Sequence, residues 1–312
     1  MTSLTFVPIW VLQDALIILV AVIVTVYIIK KEEHPIQILL ELLCFTLLYA
    51  AIFENFATLM GWYNYGKSLI MVGNVIITVP VIEYLVVYVT LRLLRTMKIS
   101  TWCKPFIVGF SGMLFDFSLD PVSVRLIYST FEGTIGRWTW YIGPNDVNIY
   151  NVPVYNFPGW ALLCGYGAAF LLLGRWWFKK SNYSKKVGYI YPALSMLGAL
   201  VTLMSPLSNF LLWAEPFFLK GSVGEWLMLV VHFIVPLFVL AVFWRGRMKQ
   251  RLSLKEDYPI LLVLILFHIS NIVVAVIFGF IDILWLQLLF TAIQGSFIYL
   301  VYNRSKILSS VS

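Results

Sequence analysis

Residues 8–29 read PIWVLQDALIILVAVIVTVYII and contain one charged residue, Asp14. An α-helix rises about 1.5 Å per residue, so this stretch extends over about 33 Å as a helix. The hydrocarbon core of a bilayer is about 30 Å thick. A stretch this long and this apolar indicates a membrane-spanning helix rather than a core helix of a soluble protein.

Similar apolar stretches recur along the chain, and nine spans are predicted in all. The fourth is short and is expected to end at Asp120, because a proline disfavours helical conformation in the residue before it. Of the 312 residues, 61% are hydrophobic and 12% are charged, which is about half the charged share of a soluble domain. The predicted spans are residues 8–29, 36–60, 68–91, 105–120, 156–178, 187–213, 226–244, 258–278 and 283–302.

This composition excludes a secreted scaffold, a disordered protein and a nucleic-acid-binding domain. It predicts an all-α, polytopic membrane helix bundle in which residues 1–312 form a single integral membrane domain. The bilayer lipid is then the first expected partner, and no nucleic acid is expected. The loop-like segment from Pro121 to Tyr155 is expected to lie over the membrane interface or to dip into it, because it is rich in Trp and Tyr.

The cations predict the orientation. The net charge is +7, and 18 of the 22 Lys and Arg residues fall in alternate loops. The positive-inside rule assigns those loops to the cytoplasm, so we expect a multi-pass protein of the cell membrane with its N-terminus outside and its C-terminus in the cytoplasm. The cytoplasmic set is Lys30, Lys31, Arg92, Arg95, Lys98, Lys104, Arg175, Lys179, Lys180, Lys185, Lys186, Arg245, Arg247, Lys249, Arg251, Lys255, Arg304 and Lys306, and the other four are Lys67, Arg125, Arg137 and Lys220.

The acids are distributed differently, since eleven of the 15 lie within predicted spans or on the outer side. A carboxylate in mid-membrane costs about 2.5–3.5 kcal/mol on insertion scales, so such residues usually face the bundle interior and mark a site. Glu54, Glu83, Asp116 and Asp120 lie on three successive spans and are the candidate catalytic residues. The alternative is that they only hydrogen-bond neighbouring helices or cap helix ends.

Asp116 and Asp120 are four residues apart and share one helix face. Two close carboxyl groups in a low dielectric cannot both ionise easily, so one would remain an acid at neutral pH, as general acid catalysis requires. For three other acids we predict only a position near the ends of the spans. Asp14 and Asp282 lie near span ends and are expected at the interface, and Glu41 is expected to extend toward the cytoplasmic edge.

The sequence lacks the residues and motifs that several classes of enzyme need. Three histidines, His34, His232 and His268, are too few for a membrane di-iron oxygenase. No GxGxxG, P-loop or GxSxG motif is present. The three cysteines are expected to be unpaired packing residues. We therefore predict acid–base chemistry without a cofactor or a metal.

Five motifs occur in order between about residues 50 and 165. They are ENFATLMGWYNYG (54–66), VPVIE (79–83), GMLFDFSLDP (112–121), RWTWY (137–141) and VPVYNFPGW (152–160). Their succession resembles the carotenoid-biosynthesis membrane family that contains the carotenoid 1,2-hydratases, including the bisanhydrobacterioruberin and γ-carotene hydratases. Residues 166–312 carry no such motif and are interpreted as helical scaffold. Glu83 after its proline also resembles the acidic motif of membrane-bound lycopene cyclases.

The resemblance implies addition of water across the terminal C1=C2 bond of a ψ-end group. Asp116 or Asp120 would protonate C2, and the other, or Glu54, would deprotonate water. Asn156 would hold water or orient an acid, unless it caps the fifth helix. Aromatic faces would stabilise the carbocation, although Trp and Tyr also form interfacial belts in any membrane protein. These aromatic candidates are Trp62, Tyr63, Trp138, Trp140, Tyr141 and Trp160.

Alternative functions remain open at this point. A lycopene-type cyclase uses the same protonation but excludes water. A proton-coupled carrier would also need intramembrane acids, and a carotenoid-binding protein would need no turnover. For the hydratase, the carotenoid is expected to reach the site sideways from the lipid, and other carotenoid-biosynthesis enzymes are expected partners.

Overall fold

The structure is a computed structural model that describes residues 10–130, 133–144, 146–219 and 221–307, with Lys220 and the first two residues of the first predicted span outside this range. The described chain is mostly helical. Its α-helices are α1 (Trp10–Lys31), α2 (Pro35–Cys44), α3 (Ala51–Leu59), α4 (Thr78–Arg95), α5 (Lys104–Ser123), α6 (Asn156–Lys180), α7 (Lys185–Leu203), α8 (Pro206–Trp213), α9 (Val223–Val239), α10 (Pro259–Leu264), α11 (Leu266–Ile277) and α12 (Leu284–Ile307).

Eight helical stretches of the described chain are long and apolar enough to cross a membrane. They correspond to eight of the nine predicted spans. Some combine an α-helix with a π-helical or 3₁₀ turn at its end. The stretches are Trp10–Lys31, Pro35–Leu59, Thr101–Ser123, Asn156–Lys180, Lys185–Leu203, Val223–Trp244, Pro259–Ile277 and Ile281–Ile307.

The third predicted span corresponds to α4, which begins ten residues later than expected at Thr78. It carries Glu83, Arg92 and Arg95, and almost all of its side chains are buried. Helices α1, α5, α6 and α10 pack around it. A helix surrounded by other helices can hold charges that lipid would not tolerate, because protein groups replace the missing water.

Other helix boundaries also differ from the predicted span boundaries, and most of these differences lie near prolines. Helix α5 continues through Pro121 to Ser123 instead of ending at Asp120, because a proline so near the C-terminal end disturbs only the last turns. The sixth predicted span is divided at Ser205, where Pro206 starts α8 at a favoured first position. The eighth is divided at Ile265, between α10 and α11.

The described residues are mostly helical, with short strands between the helices. Four two-stranded antiparallel ribbons join helix ends, since backbone groups between spans must pair with one another. The pairs are β1 (Tyr63–Tyr65) with β6 (Trp138–Trp140), β2 (Met71–Val72) with β3 (Val75–Ile76), β4 (Ile127–Thr130) with β5 (Gly133–Gly136), and β7 (Asn148–Ile149) with β8 (Val152–Pro153). Five of the strands, β4 to β8, come from the predicted interfacial segment.

The two ends of the bundle gather different loops. At one end, Glu32 pairs with Arg92 at 3.1 Å and with Arg95 at 2.8 Å, and Arg92 pairs with Asp257 at 2.6 Å. The four ribbons lie at the other end, where Arg125 pairs with Asp282 at 2.6 Å. Loops predicted to share one side of the membrane therefore meet in space.

Two predicted interfacial acids are instead deeply buried. Asp14 pairs with Arg137 at 3.1 Å, and each side chain is only 1% exposed. Glu41 is fully buried against Arg175, whose Nε donates to it at 2.8 Å. The expectation for both acids was wrong because a cation from a distant part of the chain reaches each one, and such a partner makes burial of a charge possible. Asp282 is exposed, as expected for an interfacial acid.

Candidate active site

The four candidate carboxyl groups converge, although they come from three helices. Glu54 lies on α3, Glu83 on α4, and Asp116 and Asp120 on α5. All four side chains are buried. Each of them is close enough to the other three to interact electrostatically. Helix α4 packs against α5 and against the turn Phe45–Ala50 that precedes α3. These contacts bring the four carboxyl groups together, and we call them the acid cluster.

A π-helical turn positions Glu54. Residues Phe45–Ala50 form this turn between α2 and α3. A π-turn adds one residue to the helix, which rotates the following residues by about 100° relative to a regular α-helix. Such turns occur frequently at functional sites. The turn is also tied to α6, because the Tyr49 hydroxyl donates to the Leu163 carbonyl at 2.8 Å.

Asn156 joins the two aspartates. It is the first residue of α6, and its side-chain amide donates to Asp116 Oδ2 at 2.8 Å and to Asp120 Oδ2 at 2.7 Å. The aspartates are also within hydrogen-bonding reach of each other. A hydrogen bond between two carboxyl groups needs one proton between them. Asn156 therefore holds the two carboxyl groups close together, and the N-cap residue of α6 is Tyr155 rather than Asn156.

Two tyrosines hold Glu54. The hydroxyls of Tyr63 and Tyr65 both donate to Glu54 Oε2. Burial, and then the nearby Glu54 carboxylate, raise the pKa of both hydroxyls well above the ordinary value, so both remain donors. Tyr65 was missed in the sequence, although the Tyr-Asn-Tyr alternation could have shown it, because alternate residues of a strand face the same side.

The ribbon of β1 and β6 supplies one wall of the site. Tyr63 pairs with Trp140, and Tyr65 pairs with Trp138. The intervening residues, Asn64 and Thr139, are exposed. Four aromatic rings consequently face inward from one small ribbon, as the two-residue periodicity of a strand requires.

Two small cavities lie between this ribbon and the acid cluster. One, of about 20 Å³, is bordered by Glu54, Asp120 and Asn156. That volume admits about one water molecule. The other, of about 70 Å³, touches Glu54 and Asn156 and extends past Trp62 and Leu212. The arrangement offers space for a water molecule and a small apolar end group beside carboxyl groups.

Several buried polar atoms around the acid cluster have no hydrogen-bond partner among the described residues. They are both carboxyl oxygens of Glu83, Asp116 Oδ1 and the indole nitrogen of Trp138. Buried polar groups are nearly always hydrogen-bonded, because an unmade bond costs about 1–3 kcal/mol. Trp138 borders the smaller cavity, so its indole nitrogen indicates a place there for a polar ligand. No three His, Cys, Asp or Glu side chains in the described ranges are arranged to hold a metal ion.

The predicted binding residues divide into two groups. Trp140 and Trp160 border both cavities, Trp138 borders the smaller one, and Trp62 borders the larger one. Tyr141 borders neither cavity. Its side chain is 54% exposed, and its hydroxyl accepts a hydrogen bond from Asn64 on the outer surface. The strand β6 ends at Trp140, so Tyr141 follows the outward side of the ribbon.

Arg137 is a residue whose role the sequence did not reveal. It was counted among the outer cations, but it is buried beneath β6 and donates to Gln13 at 2.6 Å as well as to Asp14. Its guanidinium lies 5.0 Å from the centre of the Trp138 ring. This buried ion pair therefore supports the aromatic wall from behind.

No family model, no curated protein and no solved structure matches this chain. The resemblance to carotenoid hydratases consequently stays a prediction that depends on the order of the five motifs.

Proposed function

We propose that this protein is a carotenoid hydratase that adds water across the terminal C1=C2 bond of a ψ-end group. The observation that carries the proposal is the Asp116–Asn156–Asp120 arrangement, which lies beside a water-sized cavity with aromatic walls. One group of the acid pair donates a proton to C2, and a tertiary cation forms at C1.

The aromatic wall suits such a cation. Tyr63, Tyr65, Trp138 and Trp140 present ring faces and edges near Asp120, and aromatic faces attract a positive charge. Water in the cavity then attacks C1, and a neighbouring carboxylate accepts its proton. The hydrogen bond between Asp116 and Asp120 gives that proton a route back to the acid, so one water is added and the enzyme is restored.

The substrate is expected to reach the site from the lipid. The larger cavity opens between α3, α6 and α8, where Phe53, Leu163 and Leu212 border it. The cavity is far too small for an entire polyene, so only the end group would occupy it. The remaining chain would stay among apolar side chains or lipid.

We also propose a multi-pass protein of the cell membrane with its N-terminus outside. The grouping of the cation-rich loops at one end of the bundle and of the ribbons at the other supports this orientation. The acid cluster would then open toward the outer leaflet.

A lycopene-type cyclase is the second candidate, favoured by Glu83. This buried acid has two unpaired oxygens and lies close to Glu54 and Asp120. The same protonation without water would lead to ring closure. The water-sized cavity beside the acid pair favours hydration instead.

Expression in a lycopene-accumulating host distinguishes these functions. Hydration increases the pigment mass by one water, whereas cyclisation leaves it unchanged, and both are read by chromatography with mass spectrometry. Asp116→Asn and Asp120→Asn are expected to abolish the product without preventing membrane insertion. Asp282→Asn removes an exposed acid and is the matched control. Full activity in both site variants would overturn the proposal.

A further inference from the structure

A basic cavity of about 520 Å³ lies at the opposite end of the bundle from the acid cluster. It forms where the segment after α4 meets the segment after α9. Among the described residues, no acidic side chain lines it. Its five cations are Arg95, Lys98, Lys104, Arg247 and Lys249.

Backbone pairing builds this cavity. The Lys98 amide donates to the Arg247 carbonyl at 2.9 Å, and the Lys249 amide donates to the Thr96 carbonyl at 2.7 Å. Met97 and Met248 pair between them in antiparallel fashion. Backbone pairing between the two segments therefore holds the cations close together.

The positive charge in the cavity is poorly compensated. Arg95 shares Glu32 with Arg92. Within the described residues, no carboxylate forms an ion pair with Lys98, Lys104, Arg247 or Lys249. Lys104 also lies close enough to Arg95 and Lys249 for mutual repulsion. The uncompensated positive charge attracts an anion, and a bound anion would reduce the repulsion among the cations.

The start of a long helix adds to the site. Ser100 and Thr101 line the cavity, and the helical stretch Thr101–Ser123 begins there. The first backbone N–H groups of a helix have no partner within the helix and attract anions.

An apolar groove of about 380 Å³ begins on the other side of the same helix start. Thr101 and Lys104 border the basic cavity, whereas Trp102 and Pro105 border the groove. The groove continues between α5, α6 and α9 along Gly165 and Ala169. Trp102 is 86% exposed, as is usual for tryptophan at a membrane interface.

We propose that the basic cavity and the apolar groove together bind one anionic lipid. Its phosphate headgroup lies among the five cations, and one of its hydrocarbon chains lies in the groove. The positive-inside rule accounts for cations at this end of the bundle, but it does not account for an acid-free cavity adjoining a groove that accepts a chain. Basic pockets between helices on the cytoplasmic side are established sites for anionic headgroups.

Thermal unfolding of the purified full chain tests this site with three separate probes. They are phosphatidylglycerol, phosphatidylcholine and inorganic phosphate. We expect phosphatidylglycerol to raise the unfolding temperature and the other two to have little effect. Lys98→Gln/Lys249→Gln is expected to weaken phosphatidylglycerol binding by on the order of tenfold, since each removed cation lowers the attraction to anionic lipid.

Two further variants separate the headgroup from the chain. Ala169→Phe fills the groove and is expected to reduce the lipid effect, while the basic cavity is left intact. Lys179→Gln/Lys186→Gln removes two exposed cations outside the cavity and is expected to change nothing. Equal stabilisation by phosphatidylcholine would overturn the proposal. So would stabilisation by phosphate alone that Ala169→Phe leaves unchanged. Because the readout is unfolding and lipid binding, it does not depend on hydratase activity.

Discussion

The side-chain nitrogen of Asn156 lies 2.7 Å from Asp120 Oδ2, at the point where α6 begins beside the last turns of α5. The same nitrogen also reaches Asp116. One amide thus sets the relative position of two carboxyl groups on another helix.

Asn156→Ala is expected to reduce hydration by about 100-fold or more, because a mispositioned general acid loses most of its contribution. Product formation in membranes, normalised to the amount of inserted protein, measures this effect. Asn303→Ala on α12 is the matched control outside the site. Unchanged activity in Asn156→Ala would show that the amide has no positioning role.

The Asp14–Arg137 pair is expected to matter for stability. Removing one partner of a buried ion pair costs about 3–5 kcal/mol, because the other charge stays buried and unpaired. Arg137→Met should therefore lower the unfolding temperature more than Arg137→Met combined with Asp14→Leu. Size-exclusion chromatography of heated samples measures unfolding and compares the single variant with the double variant. A double variant less stable than the single one would contradict this account.

Glu32 is expected to make stability depend on pH. Burial by itself would raise the pKa of its carboxyl, but Arg95, Tyr88 and Arg92 hold that pKa below the ordinary 4.5. The unfolded chain then binds this proton at a higher pH than the folded chain does, so the stabilisation is present above about pH 4.5 and is lost as pH falls through the folded pKa.

Glu32→Gln should accordingly lower the unfolding temperature at neutral pH. It should also make the unfolding temperature depend less on pH in the acid range. Glu33→Gln, at the neighbouring position without an ion pair among the described residues, is the control. If the unfolding temperatures of wild type and Glu32→Gln fell in parallel as the pH is lowered, Glu32 would not be the source of the pH dependence.

The helical register that follows the π-helical turn is expected to be needed for the acid cluster. Inserting one alanine between Ala51 and Ile52 would turn Glu54 by about 100° away from Tyr63. We expect product formation to fall to the level of Glu54→Gln. Leu47→Ala keeps the chain length and should retain activity. Activity retained after the insertion would mean that this register does not position Glu54.

Cysteine labelling tests the orientation. In a background without Cys44, Cys103 and Cys164, Lys249→Cys should react with an impermeant reagent only from the cytoplasmic side. Asn148→Cys, in β7, should react only from the outside. Labelling of both positions from one side would refute the proposed topology.

The acid cluster and the buried pairs differ in how far the sequence could predict them. Asp116 and Asp120 share a helix face by simple spacing, so their proximity could be foreseen. Asp14 and Arg137 are separated by 123 positions, and no periodicity connects them. The exposure of Tyr141 could not be foreseen, because a motif shows which residues are adjacent along the chain but not which side of a strand faces outward.

The approximate positions of eight apolar helical stretches followed from the sequence, because transfer of side chains into lipid is a local property that adds up residue by residue. The meeting of Glu54, Glu83 and Asp120 did not, since it depends on which helix packs against which and on one extra residue in a π-turn. The same holds for Lys98 and Arg247, which backbone pairing joins across almost half of the chain. Long-range contacts of this kind are decided when the helices pack.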